Sequence, residues 1–124
     1  MQQDYLQIRV LEVAPQVFAS GQLFESDLAL VAKQGVRSIV NTRPDNESEG
    51  QPLSASLAEA AAELGITFVS FPIEPKAITR DVAEAFTTAC DELERPLIVC
   101  GRSGGHATRI WETVESQCMD ATLS

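Results

Sequence analysis

A chain of 124 residues is the size of one domain, long enough to bury a core unaided and too short for two domains and a linker. Its 44% hydrophobic and 22% charged residues are ordinary globular composition and argue against both a disordered chain and a membrane protein. The net charge of −9 repels polyanions, which makes nucleic acid and acidic lipid unfavourable partners and leaves any anion site dependent on backbone N–H groups and one or two arginines.

In chain order, Leu6, Ile8 and Val10 alternate with polar residues and predict a half-buried opening strand; Val17-Phe18-Ala19 predicts a short second one before Gly21. From Ser26, the apolar positions Leu28, Leu30 and Val31 have helical spacing up to Gly35, a C-terminal stop, and Val36 to Val40 then reads as a strand. Asn41 to Pro52, with Arg43-Pro44-Asp45, Glu47, Glu49 and Gly50, has the composition of a long loop. Ser54 or Ser56 is placed to cap the next helix, with Ser56 and Glu59 as a capping box, and that Ala-rich run stops at Gly65 before the strand Ile66 to Val69. Pro72 and Pro75 break the chain. Thr79 then caps a helix carrying Val82, Ala85, Phe86 and Ala89, and Pro96 precedes the apolar strand Leu97-Ile98-Val99. The last helix starts within a Gly-rich turn and runs through Ile110, Trp111 and Val114. This alternation of helix and buried strand implies an α/β fold with a mainly parallel central sheet flanked by helices, whose ligand sites lie at the carboxyl ends of the strands.

Cys90, Cys100 and Cys118 form no Cys-x-x-Cys pair, so neither a zinc site nor a dithiol centre is expected, and reduced thiols fit a cytoplasmic location. Met1 to Tyr5 carries no basic segment leading into an apolar run. No dinucleotide fingerprint, Walker motif or metal-ligand cluster is present, and no cofactor is expected.

The segment richest in chemistry runs from Leu97 through Cys100-Gly101-Arg102-Ser103-Gly104-Gly105-His106-Ala107 to Arg109. It reads strand, Gly-rich turn, helix. Such a turn lets successive N–H groups converge while the helix N-terminus adds free donors and positive potential, so Gly101 to Ala107 is a candidate oxyanion site. A thiolate at its base shares those donors, which makes Cys100 a candidate nucleophile.

Several short motifs in order, Val17 to Gln22, Ile39 to Asp45, Gly50-Gln51-Pro52, Phe71-Pro72-Ile73 with Ile78-Thr79, and Arg102-Ser103-Gly104 with Trp111, span nearly the whole chain. Together they resemble the bacterial phosphatase-like domains found alone or fused to β-lactamase-like hydrolases, related to dual-specificity phosphatases and sometimes labelled sulfurtransferases. The resemblance implies a single phosphatase-like domain over residues 1–124 with the cysteine-phosphatase fold, acting on a phosphate-like or sulfate-like anion or a phosphorylated substrate. Cysteine phosphatases carry an arginine six residues after the cysteine, which forks onto two phosphate oxygens. Counting from Cys100, that position is His106. In the family resembled, the turn often reads Cys-Arg-Ser-Gly-Thr-Arg-Ser, and ungapped alignment of Pro96 to Trp111 puts Gly101 on the cysteine and His106 again on the arginine. A histidine is shorter than arginine and only partly protonated near neutral pH, so it cannot reproduce a permanent bidentate clamp.

Arg102 and Arg109 are the cations placed to compensate. The general acid falls to Asp45 on the long loop or to Glu74 beside Pro75. The expectation is therefore an oxyanion-binding turn with weak or lost hydrolysis. The alternatives are an active phosphomonoesterase or a persulfide-forming sulfurtransferase using Cys100, and an interaction module that keeps the fold without using the pocket. For Arg43, Glu47 and Glu49 the simpler reading is a local Arg43–Asp45 pair and a solvated loop face; for Cys90, Cys118 and Trp111 it is packing.

Overall fold

A computed structural model describes residues 9–123. Five strands form one sheet: β1 (Val10–Ala14), β2 (Val17–Ser20), β3 (Ser38–Asn41), β4 (Thr67–Ser70) and β5 (Leu97–Cys100), in the order β1-β2-β5-β3-β4. β1 pairs antiparallel with β2 and every other pairing is parallel. Four helices complete the described residues: α1 (Glu25–Lys33), α2 (Ser54–Glu63), α3 (Arg80–Asp91) and α4 (Gly104–Leu123), with a 3-10 turn at Pro75–Ala77.

The expected opening strand is only partly within the described residues. Leu6 and Ile8 fall outside the described residues, and the paired segment begins at Val10 and continues to Ala14, held by the hairpin with β2. Gly35 and Gly65, at φ of 91° and 77°, end α1 and α2 in the left-handed conformation that glycine adopts without strain. Thr79 caps α3 as expected, its hydroxyl accepting from the Val82 N–H at 3.2 Å. Of the apolar positions expected on α3, Phe86 is buried, Val82 and Ala89 are half-buried and Ala85 is exposed, while Ala83 and Cys90 complete the buried face.

Period-two alternation splits the strands' side chains between two cores. Phe18, Ile39, Ile98 and Cys100 pack with Leu28 and Val31 of α1 and Leu57 and Ala61 of α2. Val17, Ala19, Val40, Leu97 and Val99 pack with Ala83 and Phe86 of α3 and Ala107, Ile110 and Val114 of α4. Trp111 is half-buried against the second cluster, edge-on to Phe86 at 6.3 Å between ring centroids. Each fully buried Val, Leu or Ile contributes roughly 1.5–3 kcal/mol, so the eight apolar residues of strands β2, β3 and β5 with relative exposure of 0% or 1% stabilise the sheet from both sides.

This layering positions the site. The helices after β2 and β3 pack on one face and the helix after β5 on the other, so β5 lies between two strands whose connections leave to the opposite side. A crevice opens at the carboxyl end of such a strand.

Candidate functional site

Parallel register lines up Ser20, Cys100, Asn41 and Ser70 at the carboxyl edge. Three bonds carry the sheet's pairing past its last residues: Gly101 N–H donates to the Ser20 carbonyl at 3.0 Å, and the Cys100 carbonyl accepts both the Thr42 N–H at 3.0 Å and its hydroxyl at 2.8 Å. The turn therefore leaves a fixed edge.

Ser103 closes the turn and caps α4, its Oγ accepting from the His106 N–H at 3.1 Å and its carbonyl from the Ala107 N–H at 3.0 Å. Among the described residues, no acceptor lies on the amides of Arg102, Ser103, Gly104 or Gly105. Gly21, just after β2, packs against the turn: a Cβ built there would lie 3.4 Å from the Ser103 Cα and 3.6 Å from the Gly104 N. None of the three turn glycines takes a left-handed φ.

The two candidate nucleophile positions point to opposite sides. Cys100, 1% exposed, faces the α1/α2 core, where its Sγ donates to Asn41 Oδ1 at 3.6 Å. Burial pushes its thiol up to about 12, against smaller lowering contributions from a backbone hydrogen bond and from the Arg43 charge. A side chain at Gly101 would instead point at α4, its Cβ 3.2 Å from the Ala107 N.

Asp45 is drawn into the support of α2. Its Oδ1 accepts from the Ser54 N–H at 2.9 Å and the Ser54 hydroxyl at 3.0 Å, so the helix is capped from nine residues away rather than by Ser54 or by Ser56 and Glu59. Ser54 Oγ also accepts from Asn41 Nδ2 at 3.0 Å, which links Asp45 through Asn41 to the Cys100 thiol. Glu74 is exposed ahead of the 3-10 turn.

Arg43 pairs with Glu47, not Asp45. Its buried guanidinium donates from Nε to Glu47 Oε1 at 2.7 Å, from Nη1 to Gln22 Oε1 at 2.8 Å and from Nη2 to Ser48 Oγ at 2.9 Å. Glu47 is consequently half-buried and not part of a solvated face, and the Arg43 hydrogen bond, helped by Arg102, holds its carboxyl below the usual carboxylate range despite burial. Gln51 clasps the same loop, accepting from Ser48 N–H at 3.1 Å and donating to the Pro44 carbonyl at 2.9 Å. Sequence patterns missed this network because Arg43 and Glu47 have helical spacing inside a segment with no helical periodicity.

His106 stands at the third position of α4, half-buried. Arg109 lines a cavity of about 470 Å³ between β1 and α4, with Arg9, Gly104, Gly105, Thr108 and Glu112 among its walls. Among the described residues no group of three or more His, Cys, Asp or Glu side chains could hold a metal, and no helix is long and apolar enough to cross a membrane.

A mostly parallel sheet whose central strand runs through a Gly-rich turn into a capped helix, with helices on both faces, is the cysteine-phosphatase fold of the dual-specificity type. A protein from Neisseria meningitidis proposed to be a phosphatase shares it at a TM-score of 0.74 and 23% identity, covering 90% of this chain and 87% of that one. One from Shewanella putrefaciens, likewise proposed to be a phosphatase, does so at 0.73 and 24%, covering 87% and 72%. The chain belongs to the family of beta-lactamase hydrolase-like protein phosphatase-like domains, which its residues 8–118 match. It is 29% identical over 108 residues to a beta-lactamase hydrolase-like protein of Xylella fastidiosa, covering 87% of this chain and 25% of that protein, so it spans about a quarter of that relative's length.

Proposed function

We propose that this phosphatase-like domain binds a phosphate-like or sulfate-like oxyanion at Gly101 to Ala107 and that its phosphomonoester hydrolysis is weak or lost. The observation that carries the reading is the divergence of Cys100 and Gly101. The thiol is inside the α1/α2 core with its ionisation suppressed, while the position aimed at α4 has no side chain. In the family's pattern the nucleophile then corresponds to Gly101, and Cys100 is a structural thiol.

The binding half is supported by four consecutive backbone amides without an acceptor, next to the positive end of a 20-residue helix. The loss of hydrolysis is supported by His106 at the arginine position and by the engagement of Asp45 with Ser54, which commits that candidate general acid to holding α2. The same burial of Cys100 weighs against a persulfide carrier, whose sulfur must be reached by a donor.

Phosphate or vanadate titration followed by amide NMR tests the binding half. Shifts confined to residues 101–107 at millimolar ligand are expected, and an unperturbed turn refutes it. Aryl phosphate turnover that disappears in Cys100→Ser would overturn the catalytic half.

A further inference from the structure

The turn's own guanidinium does not stand free. Arg102 Nη2 donates to Glu47 Oε2 at 3.0 Å, and the other oxygen of that carboxylate accepts from Arg43 Nε at 2.7 Å. The two ends of this chain differ. The Arg43 side chain is 7% exposed and has each of its three guanidinium nitrogens engaged, by Glu47, Gln22 and Ser48, so Glu47 is fixed from beneath. Arg102 is 58% exposed and is tied through one nitrogen only, so it is the part able to move.

A carboxylate held by a buried arginine is thus presented to the one permanent cation of the turn. An oxyanion on the amides of Arg102 to Gly105 would call on that same guanidinium, and two anions sharing one guanidinium repel each other. Glu47 need not leave when Arg102 does, because Arg43 still neutralises it. The arrangement has two states, with Arg102 on Glu47 or on the ligand.

We propose that Glu47 is an internal anion competing with the ligand for Arg102, so that the site rests closed by its own loop and opens when Arg102 transfers to the bound oxyanion. This rests on the oxyanion-binding reading given above and adds how that site is held in check. Exposed ion pairs are individually weak, so the closed state is a bias that a dianion can overcome and not a block.

Sulfate, a dianion across the working pH range, is the probe, titrated by amide NMR into wild type, Glu47→Gln, Arg102→Ala and the double variant. Glutamine keeps an oxygen for Arg43 Nε and removes the charge facing Arg102. Sulfate affinity is expected to rise about three- to tenfold in E47Q, and the gain to shrink to about twofold or less in the Arg102→Ala background. Equal or weaker binding by E47Q overturns the competition, as does a full gain without Arg102, which would make Glu47 a simple repelling charge. If neither wild type nor E47Q shows shifts in the turn at tens of millimolar sulfate, the oxyanion reading falls with it, whereas wild-type binding unaltered by E47Q removes the competition alone. Should E47Q disturb the loop, the wild type still decides: sulfate must move the Arg102 Nε–H signal together with the turn amides and leave that of Arg43 in place, and a stationary Arg102 signal refutes the transfer.

Discussion

Replacing Asp45 separates a structural from a chemical role. Its Oδ1 receives both the N–H and the hydroxyl of Ser54, the first residue of α2, and Ser54 is 9% exposed, so water is poorly placed to substitute. Loss of a helix-capping acceptor costs about 0.5–2 kcal/mol, and the second hydrogen bond adds about 1 kcal/mol less whatever the two share. Asp45→Ala should therefore destabilise by about 2 kcal/mol. With an unfolding entropy of roughly 2.1 cal/mol/K per residue, or about 0.26 kcal/mol/K for 124 residues, this is a fall in Tm of about 8 °C. Asp45→Asn keeps an acceptor oxygen and loses mainly the charge near the helix N-terminus, so about 0.3–1 kcal/mol is expected. Urea unfolding of the three proteins, with Tm by calorimetry, measures both. Equal losses for Ala and Asn, or an Ala loss below about 0.5 kcal/mol, would show that the Ser54 contacts do not govern the effect.

Gly101→Cys with His106→Arg should gain aryl phosphatase activity over wild type and over either single change. The new Cβ meets the Ala107 N at 3.2 Å, so the same variant should lose about 1–3 kcal/mol of stability; a folded, anion-binding but inactive double variant would refute the assigned nucleophile position. Cys100→Ser should leave oxyanion affinity unchanged, and alkylation of native protein at pH 8 should spare Cys100, as peptide mapping can show; rapid labelling of Cys100 contradicts its suppressed ionisation. For Glu47, a carboxyl lowered on folding gives stability that is present above its ordinary value of 4.5 and lost as pH falls through the lowered value. The Tm difference between wild type and Glu47→Gln should therefore shrink on acidification below that value, and a constant difference would remove the ion pairs as its cause.

The elements of this fold were legible where one residue type settles the local choice. Gly35 and Gly65 stop helices by their positive φ, Thr79 starts one with its hydroxyl, and Leu97-Ile98-Val99 is too apolar and short to be anything but a covered strand. What stayed hidden depended on distant partners. Asp45 reaches a helix nine residues on, and Glu47 is held by Arg43 and by Arg102 from the far end of the chain. The candidate turn could be read from its glycines, but which of Cys100 and Gly101 faces it could not. That depends on the parity of β5, which is set by its register with β2 and β3.

Gly104 and Gly105 open α4 with ordinary φ, and a Cβ would meet nothing within 4 Å at the first and only the Ser103 Oγ at 3.9 Å at the second. Neither backbone nor packing asks for glycine there, and alanine at each would stabilise by about 0.4–1 kcal/mol. A selection for thermal robustness would therefore fill these two positions early, and the added methyl groups would stiffen the very stretch of backbone whose amides the oxyanion reading needs open. Stabilised descendants of this chain would then show whether a stiffer turn still admits the ligand.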